Sequence, residues 1–296
     1  MEYLLIPLGC ALASLKVTLQ SKFSKSGKHT VAQNLFFTAI MFATISLMFL
    51  PSLLDGGISA TTVFYAVLLG SFSLLYQIFY VIALSKGRMT LTVIINNFGM
   101  LIPMLVSILF LNEEFTVLIG IGSALALLSL CLSVVNKSKK GKEDRKNGED
   151  AIWLILTLLV FLTNGIASMS QKLYTARAGE DFQLFEFVCI AYMIAAAEAF
   201  AVFAVLAPKD KKKGIKLVSG RTVLIGCGVG AALGVFQCVN TVGMSLIPAP
   251  IYYPAYNCGT SLLLALIGAV LFKERFTLKQ YIGIGIGIVA ILLLCI

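Results

Sequence analysis

Four carboxamide side chains lie in the middle of apolar runs, where polar groups are uncommon. Gln77 and Gln237 are separated by 160 residues, and so are Asn97 and Asn257. A carboxamide carries both donors and an acceptor, so it can bind a polar organic molecule or join neighbouring helices by hydrogen bonds. The pattern allows both roles, and we expect at least two of these side chains to line a binding site.

Aromatic side chains accompany the carboxamides. Tyr80 and Tyr256 lie deep in the same runs, and Asn240 occupies the position in the second half that Tyr80 occupies in the first. Tyrosine combines an apolar face with one hydroxyl, which suits an aromatic or moderately polar organic molecule. Tyr252 and Tyr253 lie nearer the start of their run, where tyrosines often form an interfacial belt. The predicted binding residues are Gln77, Tyr80, Asn97, Gln237, Asn240, Tyr256 and Asn257.

Three ionisable residues lie inside apolar runs: Glu186 near an end of its run, and Lys16 and Glu198 deeper. A charge inside a membrane is costly, and it therefore indicates a function by default. The sequence places Lys16 and Glu198 at similar depth, so they either form an ion pair or act separately. Acting separately, Glu198 would exchange a proton, and Lys16 would meet an anionic ligand or extend to the membrane surface.

Metal and cofactor chemistry has no support in the residue pattern. The seven cysteines contain no CxxC pair, and the single histidine, His29, lies in a basic loop. Metal ligands at the usual spacing are therefore missing from the sequence, and we expect no metal, no cofactor and no catalytic residues.

Membrane-spanning helices must position these residues. The chain has 296 residues, 59% of them hydrophobic and 12% charged, with a mean hydropathy of +0.95, which indicates an integral membrane protein. A spanning helix needs about 20 apolar residues, and lipid excludes unpaired backbone groups. We therefore predict an all-α fold with ten transmembrane helices. The apolar runs are 3–21, 31–50, 63–85, 90–111, 117–135, 151–171, 184–206, 223–243, 250–272 and 280–296.

The net charge of +9 is concentrated in the loops between these runs. Of the 23 lysines and arginines, all but Lys16 lie in loops or at helix ends, and only Lys172 and Arg177 follow even-numbered runs. The positive-inside rule places the other loops in the cytoplasm and both termini outside. This distribution argues against a nucleic-acid partner. It predicts a multi-pass protein of the plasma membrane, which is the inner membrane in a bacterium.

An internal repeat divides the chain into two halves. Besides the carboxamides, Lys22 recurs as Lys172, at a spacing of 150 residues. The predicted halves are residues 1–135 and 151–296, joined by a charged cytoplasmic linker at 136–150. Because each half has an odd number of helices, the second must cross the membrane in the opposite sense. The result is an inverted repeat with a site between the halves, near the middle of the membrane.

Prolines and glycines add detail to this layout. Pro254 precedes Asn257 in the ninth run, and Pro103 lies in the fourth. Because proline removes a backbone donor, we expect a bent or unwound segment beside Asn257. Gly230 belongs to a stripe of glycines at four-residue spacing, which predicts close helix packing. The glycine-rich fifth and tenth helices are predicted to cross each other.

Each half ends with a similar segment before a glycine-rich last helix, NEEFT at 112–116 and KERFT at 273–277. With its two five-helix halves, this layout resembles the drug/metabolite transporter superfamily, EamA type. The resemblance implies a secondary transporter for a small organic metabolite or drug-like solute, an exporter in many members, and not an enzyme.

The repeat predicts alternating access around the central site, with the lipid bilayer as surroundings and a proton or another ion as a possible coupling partner. An oligomer is not required. The alternative is a membrane-embedded enzyme acting on a lipid-linked substrate. Such an enzyme would use a His/Asp/Glu cluster at a membrane face, which the sequence lacks.

Overall fold

The computed structural model describes residues 2–24, 29–54, 56–86, 89–134, 147–211, 218–271 and 277–294. Every regular element in these ranges is helical. The α-helices are α1 Leu5–Ser24, α2 Val31–Phe49, α3 Ala60–Lys86, α4 Met89–Phe98, α5 Leu101–Phe110, α6 Val117–Val134, α7 Asn147–Arg177, α8 Leu184–Lys211, α9 Gly220–Leu246, α10 Ala249–Leu271 and α11 Leu278–Leu294. Short 3-10 segments occupy Glu2–Leu4, Leu50–Leu54 and Gly179–Asp181.

Two sequence predictions concern residues that lie partly outside the described ranges. Helix α7 begins at Asn147, inside the predicted linker 136–150, and residues 135–146 lie outside the described part. Residues 272–276, which include most of the second KERFT segment, also lie outside it.

Apolar surface on the outside of the helices indicates a membrane environment. Within the described residues, six helical segments are long and apolar enough to cross a membrane, and three shorter apolar helices accompany them. The exposed fractions of Leu109, Val205 and Leu224, for example, are 69%, 71% and 75%. Soluble proteins rarely expose this much apolar surface. The long segments are Glu2–Gln20, Val31–Leu54, Ala60–Ala83, Ala151–Arg177, Leu184–Pro208 and Gly220–Leu246.

The fourth apolar run is two helices, α4 and α5, separated at Gly99 and Met100. The Gly99 amide donates to the Asn96 carbonyl at 2.9 Å, and the Asn164 side chain of α7 donates to the same carbonyl at 3.3 Å. A Cβ on Gly99 would lie 3.0 Å from that side chain, so the close approach requires glycine. Pro103 lies in the first turn of α5, where its missing N–H removes no helical hydrogen bond.

The unwound segment expected beside Asn257 is absent, because α10 continues from Ala249 to Leu271 through Pro254. Pro254 cannot donate to the carbonyl of Pro250, one turn earlier. Ser123 of α6 donates to that carbonyl instead, at 3.4 Å. A neighbouring helix therefore satisfies the freed backbone group, and the distortion occurs in the other half, at Gly99.

Helices from the two halves are packed against each other throughout. The extensive contacts are α3 with α7, α2 with α8, α6 with α11, and α1 with α9. The Ser129 hydroxyl of α6 donates to the Gly283 carbonyl of α11 at 2.7 Å, which confirms the predicted crossing of the glycine-rich fifth and tenth helices. The largest buried cluster lies among α2, α3, α8 and α9, with further residues from α1 and α7.

Candidate functional site

The first arm of the site comes from the α3–α4 hairpin. Tyr76 stacks on Tyr80 with ring centroids 5.5 Å apart and an interplanar angle of 28°. Tyr76 also lies beside Asn96 of α4 and Tyr256 of α10. Gln77 follows Tyr76 in the chain and is half-buried. The predicted residues Tyr80 and Gln77 therefore flank Tyr76, which approaches the second half of the chain.

The second arm is the middle of α10. Tyr256 stacks between Phe236 of α9, at 5.6 Å, and Tyr252, at 6.0 Å. A Cβ on Gly9 of α1 would lie 3.8 Å from the Tyr256 ring, so α1 approaches this ring closely. Tyr256 lies within electrostatic range of Tyr76, and these rings from the two halves are here called the aromatic cluster.

The predicted asparagines are both associated with the break between α4 and α5. The Asn257 side chain donates to the Tyr253 carbonyl at 2.9 Å and to the Met100 sulfur at 3.4 Å. Asn97 lies one turn before Met100, and its carbonyl accepts from the Met100 amide at 3.4 Å. Both asparagine residues are half-buried, so neither is fully enclosed by protein.

Gln237 and Asn240 have a different environment, because both are buried among protein partners. Gln237 donates to the hydroxyl of Tyr192, and Asn240 donates to Gln171 at 3.1 Å. The Tyr252 hydroxyl donates to the Asn240 oxygen at 2.9 Å. These bonds correspond to the helix-joining role that carboxamides can have. Tyr252 and Tyr253 are also buried, so they do not form an interfacial belt.

Two buried side-chain oxygens near the aromatic cluster lack a hydrogen bond of good geometry among the described residues. They are Asn96 Oδ1 and Thr260 Oγ1, and their side chains interact only at poorer geometry with the hydroxyls of Tyr76 and Tyr256. A buried polar atom without a partner is rare, because its desolvation costs about 1–3 kcal/mol. The two oxygens come from opposite halves of the chain, and both can accept a hydrogen bond from a bound polar molecule.

The ionisable residues singled out in the sequence, Lys16 and Glu198, lie on α1 and α8. Glu198 Oε1 accepts a hydrogen bond from the Ser71 hydroxyl of α3 at 2.6 Å. Lys16 is half-buried in α1 and forms no ion pair with Glu198 among the described residues. The proposed alternatives for Lys16, a ligand contact or extension to the surface, stay predictions.

A different ion pair joins the two halves. Lys172 Nζ lies 2.6 Å from Glu113 Oε1, and the side chains are 6% and 17% exposed. The sequence marks Lys172 as an exception to the charge rule and Glu113 as part of a repeated segment, but it does not connect the two residues.

Other residues were missed because their partners are distant in sequence. Gln171, Tyr192 and Asn164 were not singled out, although each is a polar group in an apolar helix. The signal that the sequence offered for them was a polar side chain inside an apolar run, because polar groups inside membrane helices require partners. No group of three or more His, Cys, Asp or Glu residues that could hold a metal is present in the part of the chain described above.

Comparison with known proteins finds a matching family and solved structures of similar fold. The model of the EamA-like transporter family matches residues 2–135. Among solved structures, 28 chains match, one of them described only as the crystal structure of a protein. That structure shares 14% sequence identity and a TM-score of 0.77, covering 99% of this chain and 98% of its own, so it shows the fold alone. No curated protein sequence matches. Residues 2–135 therefore match the EamA-like transporter family, which confirms the resemblance to the drug/metabolite transporter superfamily.

Proposed function

We propose that this protein is a secondary transporter that exports a small organic solute by alternating access around a site between Tyr76 and Tyr256. EamA-family proteins are membrane transporters, so the family match supports this class of function. The solute would stack against the tyrosines and donate hydrogen bonds to the side-chain oxygens beside them. The protein would act in the plasma membrane, surrounded by lipid, without requiring a second copy.

The observation that carries the proposal is the pair of buried oxygens at Asn96 and Thr260 that lack a hydrogen bond of good geometry among the described residues. They lie beside Tyr76 and Tyr256, on arms that come from opposite halves of the chain. A site shared by two halves can open to either side when the halves move relative to each other. A polar solute bound there would compensate for the hydrogen bonds that the protein leaves unmade.

The pattern of helix contacts supports an inverted repeat. If α7 to α11 repeat the helices of the first half, contact of α3 with α7 corresponds to contact of α9 with α1, and both exist. Contact of α3 with α8 likewise corresponds to contact of α9 with α2, which also exists. The pairs α2–α8 and α6–α11 join equivalent helices, as expected at a two-fold axis. The loop charges would place both termini outside the cell.

Thiol reactivity tests the site. In a background without the native cysteines, Asn97→Cys and Asn257→Cys should react with a small water-soluble maleimide. Ser170→Cys, a nearly isosteric change at a side chain that is 0% exposed, should stay unreactive. A thermal-shift screen with amino acids, purines, sugars and cationic drugs identifies a ligand for the second step. That ligand should slow labelling of both asparagine positions.

The proposal predicts reactivity at both positions and protection at both. Inert cysteines at 97 and 257 would contradict it. The same conclusion would follow if both react, the ligand protects neither, and transport of that ligand continues. In either case the carboxamides join helices, and the binding site lies elsewhere.

A further inference from the structure

We propose that Lys172 and Glu113 form a clasp that closes one end of the protein and opens when the central site becomes accessible from that end. The inference rests on the proposed alternating access, but its test measures accessibility and does not require a known substrate. The clasp lies at the end with few basic loops, which the charge distribution assigns to the outside.

The geometry of the clasp is more than a simple contact between two charges. Besides the 2.6 Å ion pair, Lys172 Nζ donates to the Met244 carbonyl at 2.8 Å. Glu113 Oε2 accepts from the Ala249 amide at 2.7 Å. The pair therefore connects the end of α9 and the beginning of α10 through their free backbone groups. Each charge has two partners, as a buried ion pair requires.

The clasp joins the two halves of the chain. Glu113 lies in the connection between α5 and α6, in the first half. Lys172, Met244 and Ala249 all lie in the second half, on α7, α9 and α10. Movement of one half relative to the other at this end must therefore separate Glu113 from its two partners, Lys172 and Ala249.

The burial of α10 changes along its length in the way a closed end predicts. Most of its residues from Ala249 to Cys258 are buried. Beyond Cys258, none of the described side chains in α10 is buried. The helix is thus enclosed near the clasp and less enclosed toward the other end. A protein that is closed at one end and less enclosed toward the other resembles one of the two states that alternating access needs.

The chemistry of the pair also favours a moving contact over a permanent one. Apolar residues of similar size often stabilise a permanent interface as well as a buried ion pair does, or better. An ion pair, however, forms only in one geometry, and its two groups regain hydration when they separate into water. It therefore suits an interface that must close in one arrangement and open in another.

Accessibility of a cysteine beneath the clasp tests the proposal. Met244 is 2% exposed, so Met244→Cys in a background without the native cysteines should react slowly. A charged, membrane-impermeant methanethiosulfonate is applied to one side of the membrane at a time. Adding Glu113→Gln should raise the labelling rate from the clasped side at least about tenfold, equivalent to about 1.4 kcal/mol in the opening equilibrium.

Glu114→Gln is the matched control, because it removes the same charge from the neighbouring, exposed residue. Labelling in this control should equal that of Met244→Cys alone. Lys172→Gln removes the other charge of the pair, so it should raise the labelling rate in the same way as Glu113→Gln. This variant also tests the pair if Glu113→Gln alone does not fold.

An unchanged labelling rate in folded Glu113→Gln protein would overturn the clasp, as would an unchanged rate in folded Lys172→Gln protein. The outcome is separate from that of the substrate-site test. If labelling responds to Glu113→Gln while positions 97 and 257 are inert, the clasp stands and the assigned binding site fails.

Discussion

Replacing Gly230 with alanine tests how closely the two halves are packed. Gly230 lies on α9 against α2. A Cβ added there would lie 2.5 Å from the Met41 carbonyl oxygen and 2.8 Å from the Thr44 Cβ. The oxygen belongs to the backbone of a helix, so it cannot move away by a side-chain rotation. We therefore expect α9 and α2 to be forced apart in Gly230→Ala.

The magnitude follows from two opposing effects. Overpacking in a tight interface costs about 1–3 kcal/mol. Exchanging glycine for alanine inside a helix contributes roughly 1 kcal/mol in the opposite direction. Gly228→Ala is the matched control, because it lies on the same helix and a Cβ there meets nothing within 4 Å. The helix-propensity gain is common to both variants, so the difference between them should be the overpacking cost of about 1–3 kcal/mol.

The assay compares the free energy of unfolding of both variants in detergent, by denaturant titration or by the loss of a monodisperse peak after heating. Gly228→Ala should be as stable as the parent or slightly more stable. Gly230→Ala should be less stable than Gly228→Ala by the difference given above. Equal stability of the two variants would refute the close approach of α9 and α2 at this position.

Three further predictions concern orientation, coupling and the α4–α7 contact. A C-terminal alkaline phosphatase fusion should be active and a C-terminal green fluorescent protein dark, because the loop charges place the termini outside; the reverse pattern would contradict this orientation. If transport is proton-driven, transport by Glu198→Gln in a vesicle assay should lose its dependence on a pH gradient, whereas transport by Ser71→Ala, which removes only the donor to that carboxylate, should retain it. Retained dependence in folded Glu198→Gln would contradict a coupling role for Glu198. Trp153→Phe should lower the free energy of unfolding by about 1 kcal/mol, because it removes the 2.9 Å bond from Trp153 Nε1 to Thr92; unchanged stability would show that this bond contributes nothing.

The helices could be predicted from the sequence because the membrane restricts the possible answers. Lipid supplies no hydrogen-bond partners, so an apolar run of sufficient length has to pair its backbone internally. Each predicted run corresponds to one helix or, for the fourth, to α4 and α5. The break at Gly99 was not predicted, because it depends on Asn164, a hydrogen-bond donor 68 residues from the carbonyl it satisfies.

The repeat also predicted the two arms of the candidate site, since equal spacing gives equal depth in the membrane. Depth alone does not determine which way a side chain points around its helix or which helix lies opposite. Asn257 and Gln237 have the same kind of side chain in similar apolar runs, yet Asn257 contacts the α4–α5 break while Gln237 is buried against Tyr192. That distinction arises from helix rotation and packing.

The charged residues show most clearly which features follow from the sequence and which follow from the packing of helices. The sequence by itself determined that the chain is helical, lies in a membrane and carries a few costly charges within or beside apolar runs. Only the tertiary structure decided that Lys172 pairs with Glu113, and that Glu198 accepts from Ser71 and not from Lys16 among the described residues. The physical reason is that hydropathy and repeat spacing specify position along the membrane normal. An ion pair depends on distance in all three dimensions, which packing between the two halves sets.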